Sequence, residues 1–287
     1  MKSNLAGKLI FRAQRSIKSL KLRECLANLS TRRLPAPAGP LMGQAQDVVD
    51  RLHREGIAFL PDLPSRQQID DILNYIEDKQ VRNPYKPAQA FAHQTPPHDC
   101  HTAHFSAQDI LAAPHLLEFA NNSQVLDIVS HFLGAHPTIS NIALWWSYPG
   151  HEAPEQAQFF HRDVDDWRFI KLFIYLTDVD ESAGPHAFVP GSQNSSAFSK
   201  IKRYSDDEVT QHFGDGSIHY ITGAKGSSFL ENTFGLHKGR MPTQKPRLVF
   251  QVQYSLHPIA AYQYTPQQRA AAHAQHDRYI NRLYLQP

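Results

Sequence analysis

Apolar positions recur at helical spacing in the first half of the chain and give way to β-branched and aromatic runs in the second. Val48, Val49, Leu52 and His53 fall on one helical face, and Gly56 stops that helix. Residues 57–60 are all apolar and predict a short strand. Pro64-Ser65 opens a further helix with Ile69, Ile72, Leu73 and Ile76 on one side. Residues 83–105 are polar and carry Pro84, Pro87, Pro96 and Pro97, which predicts a long loop of the functional kind. Helices are expected over 115–121 and 123–134, ending at Gly134.

From Thr138 to Tyr148 the chain turns β-branched and aromatic, and Pro149-Gly150 closes the run. Residues 168–177, 186–190, 217–222, 226–231 and 246–256 read as further strands, and 264–283 as a closing helix. Many short strands after a helical lead-in predict a mainly β fold with flanking helices, a β-sandwich or jelly roll.

Residues 1–33 have a different character. Nine basic residues from Lys2 to Arg33 stand against one acid, Glu24, and alternate with apolar residues such as Leu9, Ile10, Phe11 and Ile17. Three readings are open: an amphipathic helix packed on the domain, a basic segment touching anionic lipid or a partner, or an organelle transit peptide. Residues 34–40, rich in proline, read as a linker. The expected organisation is an N-terminal segment over 1–43 and a single domain over 44–287. That domain divides into a helical lead-in (44–135), a jelly-roll core (136–257) and a C-terminal helix (264–283).

Composition narrows the functional classes. At 41% hydrophobic and 20% charged the chain is globular, and a net charge of +2 gives no electrostatic case for nucleic acid. Two cysteines, Cys25 and Cys100, are too few for a disulfide framework. No apolar run approaches the ~20 residues that span a bilayer, and no secretory core is present. The expectation is a cytoplasmic protein, with association at a membrane surface through residues 1–33 as the added alternative.

The chemistry centres on Phe159-Phe160-His161-Arg162-Asp163. In a strand, residues two apart share a face, so His161 and Asp163 would aim an imidazole and a carboxylate into one space, ~6–7 Å apart along the backbone. His237, directly after a predicted strand, is the candidate third ligand. Two histidines and one carboxylate on one face leave the other face open, which suits iron(II) binding a cosubstrate and oxygen together. A 2-oxo acid needs a cationic anchor, and Arg247 can grip a carboxylate with two parallel hydrogen bonds. A small residue in place of Asp163 would leave a slot for halide, so the aspartate favours hydroxylation. An ordinary hydrogen-bonded pair of His161 and Asp163 stands beside the metal reading. A kinase catalytic loop does not, because Arg168 occupies the position that would need asparagine.

The run from His161-Arg162-Asp163 through Lys171, Thr177-Asp178, Gly184-Pro185-His186 and Pro190-Gly191-Ser192 resembles the core of the phytanoyl-CoA dioxygenase family. His237-Lys238-Gly239, Arg247 and the lead-in from Arg54 to Leu63, through Pro61, fit the same pattern, over roughly residues 44–260. Gln193 stands where the family often has histidine. The resemblance implies a cupin-like double-stranded β-helix holding iron(II), with 2-oxoglutarate and O2 as cosubstrates. It implies release of succinate and CO2 and hydroxylation of an aliphatic C–H in a small-molecule or lipid-linked substrate. By position Phe173 would line the cosubstrate pocket, and Lys171 would be a pocket cation or a snorkelling surface residue. The competing class is a non-catalytic jelly-roll module that binds a metabolite or partner. His93, His98, Cys100, His101 and His104 crowd the long loop without any familiar zinc spacing; the loop is expected to fold over the iron. His151 and His186 are expected as ordinary histidines or as pocket-facing ones, and Asp165 as a rival to Asp163.

Overall fold

The helical lead-in forms where the apolar spacing places it. The computed structural model describes residues 5–60, 63–86 and 89–286; Lys2, Pro61 and Pro87, named above, lie outside them. Helices α1 (Leu5–Ser16), α2 (Leu20–Thr31) and α3 (Gln44–Glu55) precede β1 (Ile57–Leu60). Helix α3 buries Val49 and Leu52 and ends on Gly56, whose φ of 85° glycine adopts without strain. Helix α4 (Arg66–Ile76) starts at a reciprocal Ser65/Gln68 capping box and buries Ile69, Ile72 and Ile76.

Strands β2 (Gln80–Arg82), β3 (Ala90–Ala92) and β4 (Thr102–His104) follow. The stretch 83–105 is therefore not one loop. Its two short apolar-centred segments find backbone partners, Ala90–Ala92 on β2 and Thr102–His104 on the next strand of the core. Helices α5 (Ala107–Ala112), α6 (Leu116–Ala120) and α7 (Ser123–Leu133) complete the lead-in.

The remaining elements are β5 (Thr138–Ser147), β6 (Phe169–Tyr175), β7 (His186–Phe188), α8 (Asp206–Phe213), β8 (His219–Ile221), β9 (Ser228–Glu231), β10 (His237–Gly239), β11 (Arg247–Ser255) and α9 (Arg278–Asn281). Eight strands form one sheet in the order β1-β9-β6-β11-β5-β4-β2-β3, and β10-β7-β8 form a second. Alternation along β6 and β11 divides the work. Ile170, Leu172, Ile174, Leu248, Phe250 and Val252 pack under the helices. Phe173, Tyr175 and Val249 face the small sheet and meet Phe188 and Ile221 there. Two antiparallel sheets facing each other, with helices behind the larger, make a double-stranded β-helix.

No closing helix spans 264–283. The structure has a single 3₁₀ turn at Ala271–His273 and the short α9. The stretch carries Pro266 and no sustained apolar stripe. Instead Gln267 pairs with Leu285, and Arg269 donates to the carbonyls of His273 and His276.

The described part of residues 1–33 packs on the domain. Arg23 is buried and donates to the carbonyls of Gln14 and Asp166 at 2.5 and 2.6 Å. Its guanidinium lies over the rings of Phe234 and Trp167, 4.7 and 5.5 Å from their centroids. Gln14 adds a hydrogen bond to the Asp166 carboxylate at 2.9 Å. Arg23→Ala is expected to lower stability by about 2–3 kcal/mol in urea unfolding, because it removes both ring contacts and strands two buried carbonyls. Among the described residues no helix is long and apolar enough to cross a membrane.

Candidate metal centre

Backbone pairing brings the two histidines together. The amide of His161 donates to the carbonyl of His237 at 3.0 Å, and the amide of His237 returns the bond at 3.1 Å. Two residues on, the Asp163 amide donates to Thr233 O at 2.9 Å. His161 and Asp163 thus do not sit on one regular strand, as the spacing suggested. A single bridge at His161 and the tie to Thr233 achieve the same convergence.

The result is a compact donor set. Asp163 Oδ1 lies 3.7 Å from His161 Nε2, and Asp163 Oδ2 lies 3.4 Å from His237 Nε2. One donor atom from each residue falls within 4.8 Å of the others, a separation that one metal ion could bridge. Each imidazole is held by the carbonyl two residues before it: His161 Nδ1 donates to Phe159 O at 2.9 Å and His237 Nδ1 to Gly235 O at 3.0 Å. That arrangement leaves both Nε2 lone pairs directed at the shared space. Burial, reinforced by His237, holds the His161 imidazole well below its ordinary range, so it is a neutral donor. Burial opposes ionisation of Asp163, but Lys171 and then His237 hold its carboxyl well below the usual carboxylate range.

Lys171 is a buried cavity cation and not a snorkelling surface residue. Its Nζ donates to Asp163 Oδ2 at 2.6 Å. Burial works against its charge, yet Asp163 and Asp165 raise its pKa above the ordinary lysine value. Phe173 lines the same cavity, stacked on Phe229 at 5.1 Å. The cavity has a volume of about 530 Å³, and the three candidate ligands, Lys171, Phe173 and Arg247 all line it.

Arg247 opens β11 opposite Ser147. It is 3% exposed, and among the described residues its Nε and Nη1 have no hydrogen-bond partner. Among the described residues the one hydrogen bond of its side chain, Nη2 to Ser147 Oγ, is long at 3.5 Å. A buried guanidinium left unpaired is costly, and a carboxylate from outside the chain would satisfy it. Gly239 leaves room beside it: a Cβ there would come within 3.0 Å of Arg247 Nη2. Gly239→Ala is therefore expected to weaken binding of a carboxylate at Arg247 by about tenfold, ~1.4 kcal/mol, in calorimetry, with metal binding to the trio unchanged in titration.

Several residues carry more than their sequence context suggested. His186 faces the cavity, its Nε2 2.8 Å from Glu231 Oε2. Glu231 is fully buried, and burial pushes its carboxyl up to about 8. An acid ending the otherwise compact strand Ser228-Phe229-Leu230-Glu231 was the available signal. Arg162 donates to the carbonyls of Phe234, Ser192, Ser195 and Ala197 and so ties the two candidate ligand segments together. Asp165 lines the cavity, raised to about 6 by burial and then by Asp163, but stays outside the converging set. Asp166 accepts from the amides of Trp167 and His257.

The histidine-rich stretch supplies cavity wall. His104 stacks on Trp145 at 5.6 Å, and His101 on His151 at 3.6 Å. Both His101 and His104 line the cavity. Among the described residues His161, Asp163 and His237 are the one trio placed to hold a metal, so the stretch forms no second centre.

A jelly roll with this donor set and a buried arginine defines the architecture of iron-dependent oxygenases that use 2-oxoglutarate. Residues 52–247 match the phytanoyl-CoA dioxygenase (PhyH) family, and the chain belongs to it. That family uses iron(II), 2-oxoglutarate and O2. No curated protein matches the chain in sequence. Solved structures share its fold at low identity. EctD from S. alaskensis, crystallised with 2-oxoglutarate and 5-hydroxyectoine, is 17% identical with a TM-score of 0.54, over 77% of this chain and 82% of that one. HygX from Streptomyces hygroscopicus, with nickel, 2-oxoglutarate and hygromycin B bound, is 12% identical with a TM-score of 0.53, over 82% and 98%. The carbocyclase SnoK from nogalamycin biosynthesis is 14% identical with a TM-score of 0.52, over 77% and 86%.

Proposed function

We propose that the chain is an iron(II)- and 2-oxoglutarate-dependent dioxygenase that hydroxylates an aliphatic C–H of a small-molecule or lipid-linked substrate. The observation that carries this reading is the meeting, on one cavity, of three converging donors with an unpaired buried guanidinium. Bound iron(II) would couple O2 reduction to oxidative decarboxylation of the cosubstrate: R–H, 2-oxoglutarate and O2 give R–OH, succinate and CO2.

The chain's own groups do the holding. His161 and His237 would offer Nε2 as donors, fixed in orientation by the Phe159 and Gly235 carbonyls. Asp163 offers a carboxylate oxygen while Lys171 balances its charge. Arg247 would take the far carboxylate of 2-oxoglutarate through its free N–H groups. Phe173, Tyr175 and Val249 wall the path between them and exclude water. Occupation of the ligand position by Asp163 supports hydroxylation over halogenation.

The test is anaerobic addition of iron(II) and 2-oxoglutarate, followed by air. A weak visible charge-transfer band and then succinate are expected. Absence of both would end the proposal. Leu9, Ile10, Leu22 and Leu29 are exposed among the basic residues of α1 and α2, which supports peripheral contact with an anionic membrane. Sedimentation with phosphatidylserine vesicles should weaken in Leu9→Ser/Ile10→Ser; equal pelleting of both forms would exclude that contact.

A further inference from the structure

The cavity-facing side of the large sheet changes its chemistry from one end to the other. Partners in register on antiparallel strands show their side chains to the same face. The first row is Arg247 opposite Ser147, and the next sets Val249 between Trp145 and Tyr175. Beyond that the floor turns to carboxamides. Gln251 lies opposite Ala143 and Phe173, and Gln253 lies between Asn141 and Lys171.

The two glutamines are buried and Asn141 is half-buried. Gln251 is 8% exposed and Gln253 1%. Among the described residues the side chains of Asn141 and Gln251 make no hydrogen bond, while Gln253 lies beside the Asp165 carboxyl. Asn141 and Gln251 both line the cavity, with Asp165 and Tyr262 at the same end. Carboxamides that face a cavity beside the metal trio without a partner among the described residues are groups that a ligand can complete.

The type of ligand follows from the donor and acceptor inventory. A carboxamide both donates and accepts, as a hydroxyl does, and a carboxylate accepts. Trp145 and Tyr262 add flat apolar faces to the same cavity. An acyl chain against this wall would leave every amide unpaired. A molecule carrying several hydroxyls would pair them, and a site built to bind hydroxyls rejects analogues lacking them by roughly 10⁴–10⁵-fold.

We infer that the substrate is a polyhydroxylated small molecule, sugar- or cyclitol-like, whose hydroxyls are read by Asn141, Gln251 and Asp165 while the C–H to be oxidised faces the metal trio. The inference rests on the oxygenase reading for its chemistry but not for its binding site. The experiment therefore has two arms. In the first, calorimetry of the metal-free protein measures binding of glucose, methyl glucoside, glucosamine, myo-inositol and trehalose, with octanoate and octanoyl-CoA as acyl probes. In the second, the iron- and 2-oxoglutarate-loaded protein in air is scored for succinate release with each probe.

At least one hydroxylated probe should bind and accelerate succinate release by about tenfold or more over the probe-free rate, with the acyl probes inert. Gln251→Leu, close in shape, should weaken binding of that probe about 100-fold, and Asn141→Ala should weaken it in the same direction. Each variant is checked for an unchanged thermal midpoint. Failure of every polyol to bind, acceleration by the acyl probes alone, or full binding by both variants would overturn the inference. Polyol binding that is lost in Gln251→Leu, without any succinate from the loaded protein, would uphold the site and overturn the oxygenase reading instead.

Discussion

Asp163→Ala should cost the metal-free protein about 3–5 kcal/mol of stability, before any iron is added. Lys171 is 8% exposed, and its ammonium is 2.6 Å from Asp163 Oδ2. Without that carboxylate the buried cation loses its hydrogen-bonded partner and keeps the weaker attraction of Asp165. The double variant Asp163→Ala/Lys171→Met should regain most of the loss, because exchanging a whole buried pair for apolar groups is close to neutral. Urea unfolding with chelator present reads both. Identical midpoints for the single and double variants would show that the pair carries no such weight. The stabilisation has a defined pH window. The folded Asp163 carboxyl is held below its unfolded value, so its contribution is complete above about pH 4 and is lost as pH falls through the lowered value. Both variants should also lose iron and with it about 10³-fold or more in succinate release, ~4 kcal/mol of barrier.

Arg247→Met should raise the KM for 2-oxoglutarate by about 100-fold, ~2.7 kcal/mol, in keeping with the loss of charge-assisted hydrogen bonds to a carboxylate. The same change should leave the unliganded protein at least as stable as before. The guanidinium is buried with Nε and Nη1 unpaired, so in the empty protein it is a liability and not a support. Few ligand-binding residues combine those two signs. A thermal midpoint that falls clearly in Arg247→Met, or a cosubstrate KM that does not move, would show that the arginine has a structural partner instead.

Both predictions draw on residues visible before the fold was known, for a local reason. That His161, Asp163, His237 and Arg247 share one cavity was legible because the His-x-Asp spacing and the family-like motifs restrict residue type tightly. The alternation of β6 and β11 was legible because one face packs under helices. What escaped depended on pairing between distant segments. Strand β10 has three residues, two of them His237 and Lys238, and exists because it pairs with β7. The two strands within 83–105 likewise have no pattern of their own. The amides of Asn141 and Gln251 could not be seen as one wall until the register of β5 and β11 was fixed. Arg23 finds the Asp166 carbonyl 143 residues away, a contact that no local spacing announces. The expected C-terminal helix failed for the opposite reason: its alanines suit a helix, but no apolar stripe gave it a face to bury.

The family match begins at residue 52, well after the guanidinium of Arg23. Yet that group is wedged between Trp167 and Phe234, four residues past Asp163 and three before His237. A fragment that begins at α3 and keeps everything after it, β11 included, should keep its sheets and lose its grip on iron first. The amino-terminal hairpin of helices belongs, on this view, to the catalytic unit as its rear buttress, and a minimal active fragment should have to begin ahead of it.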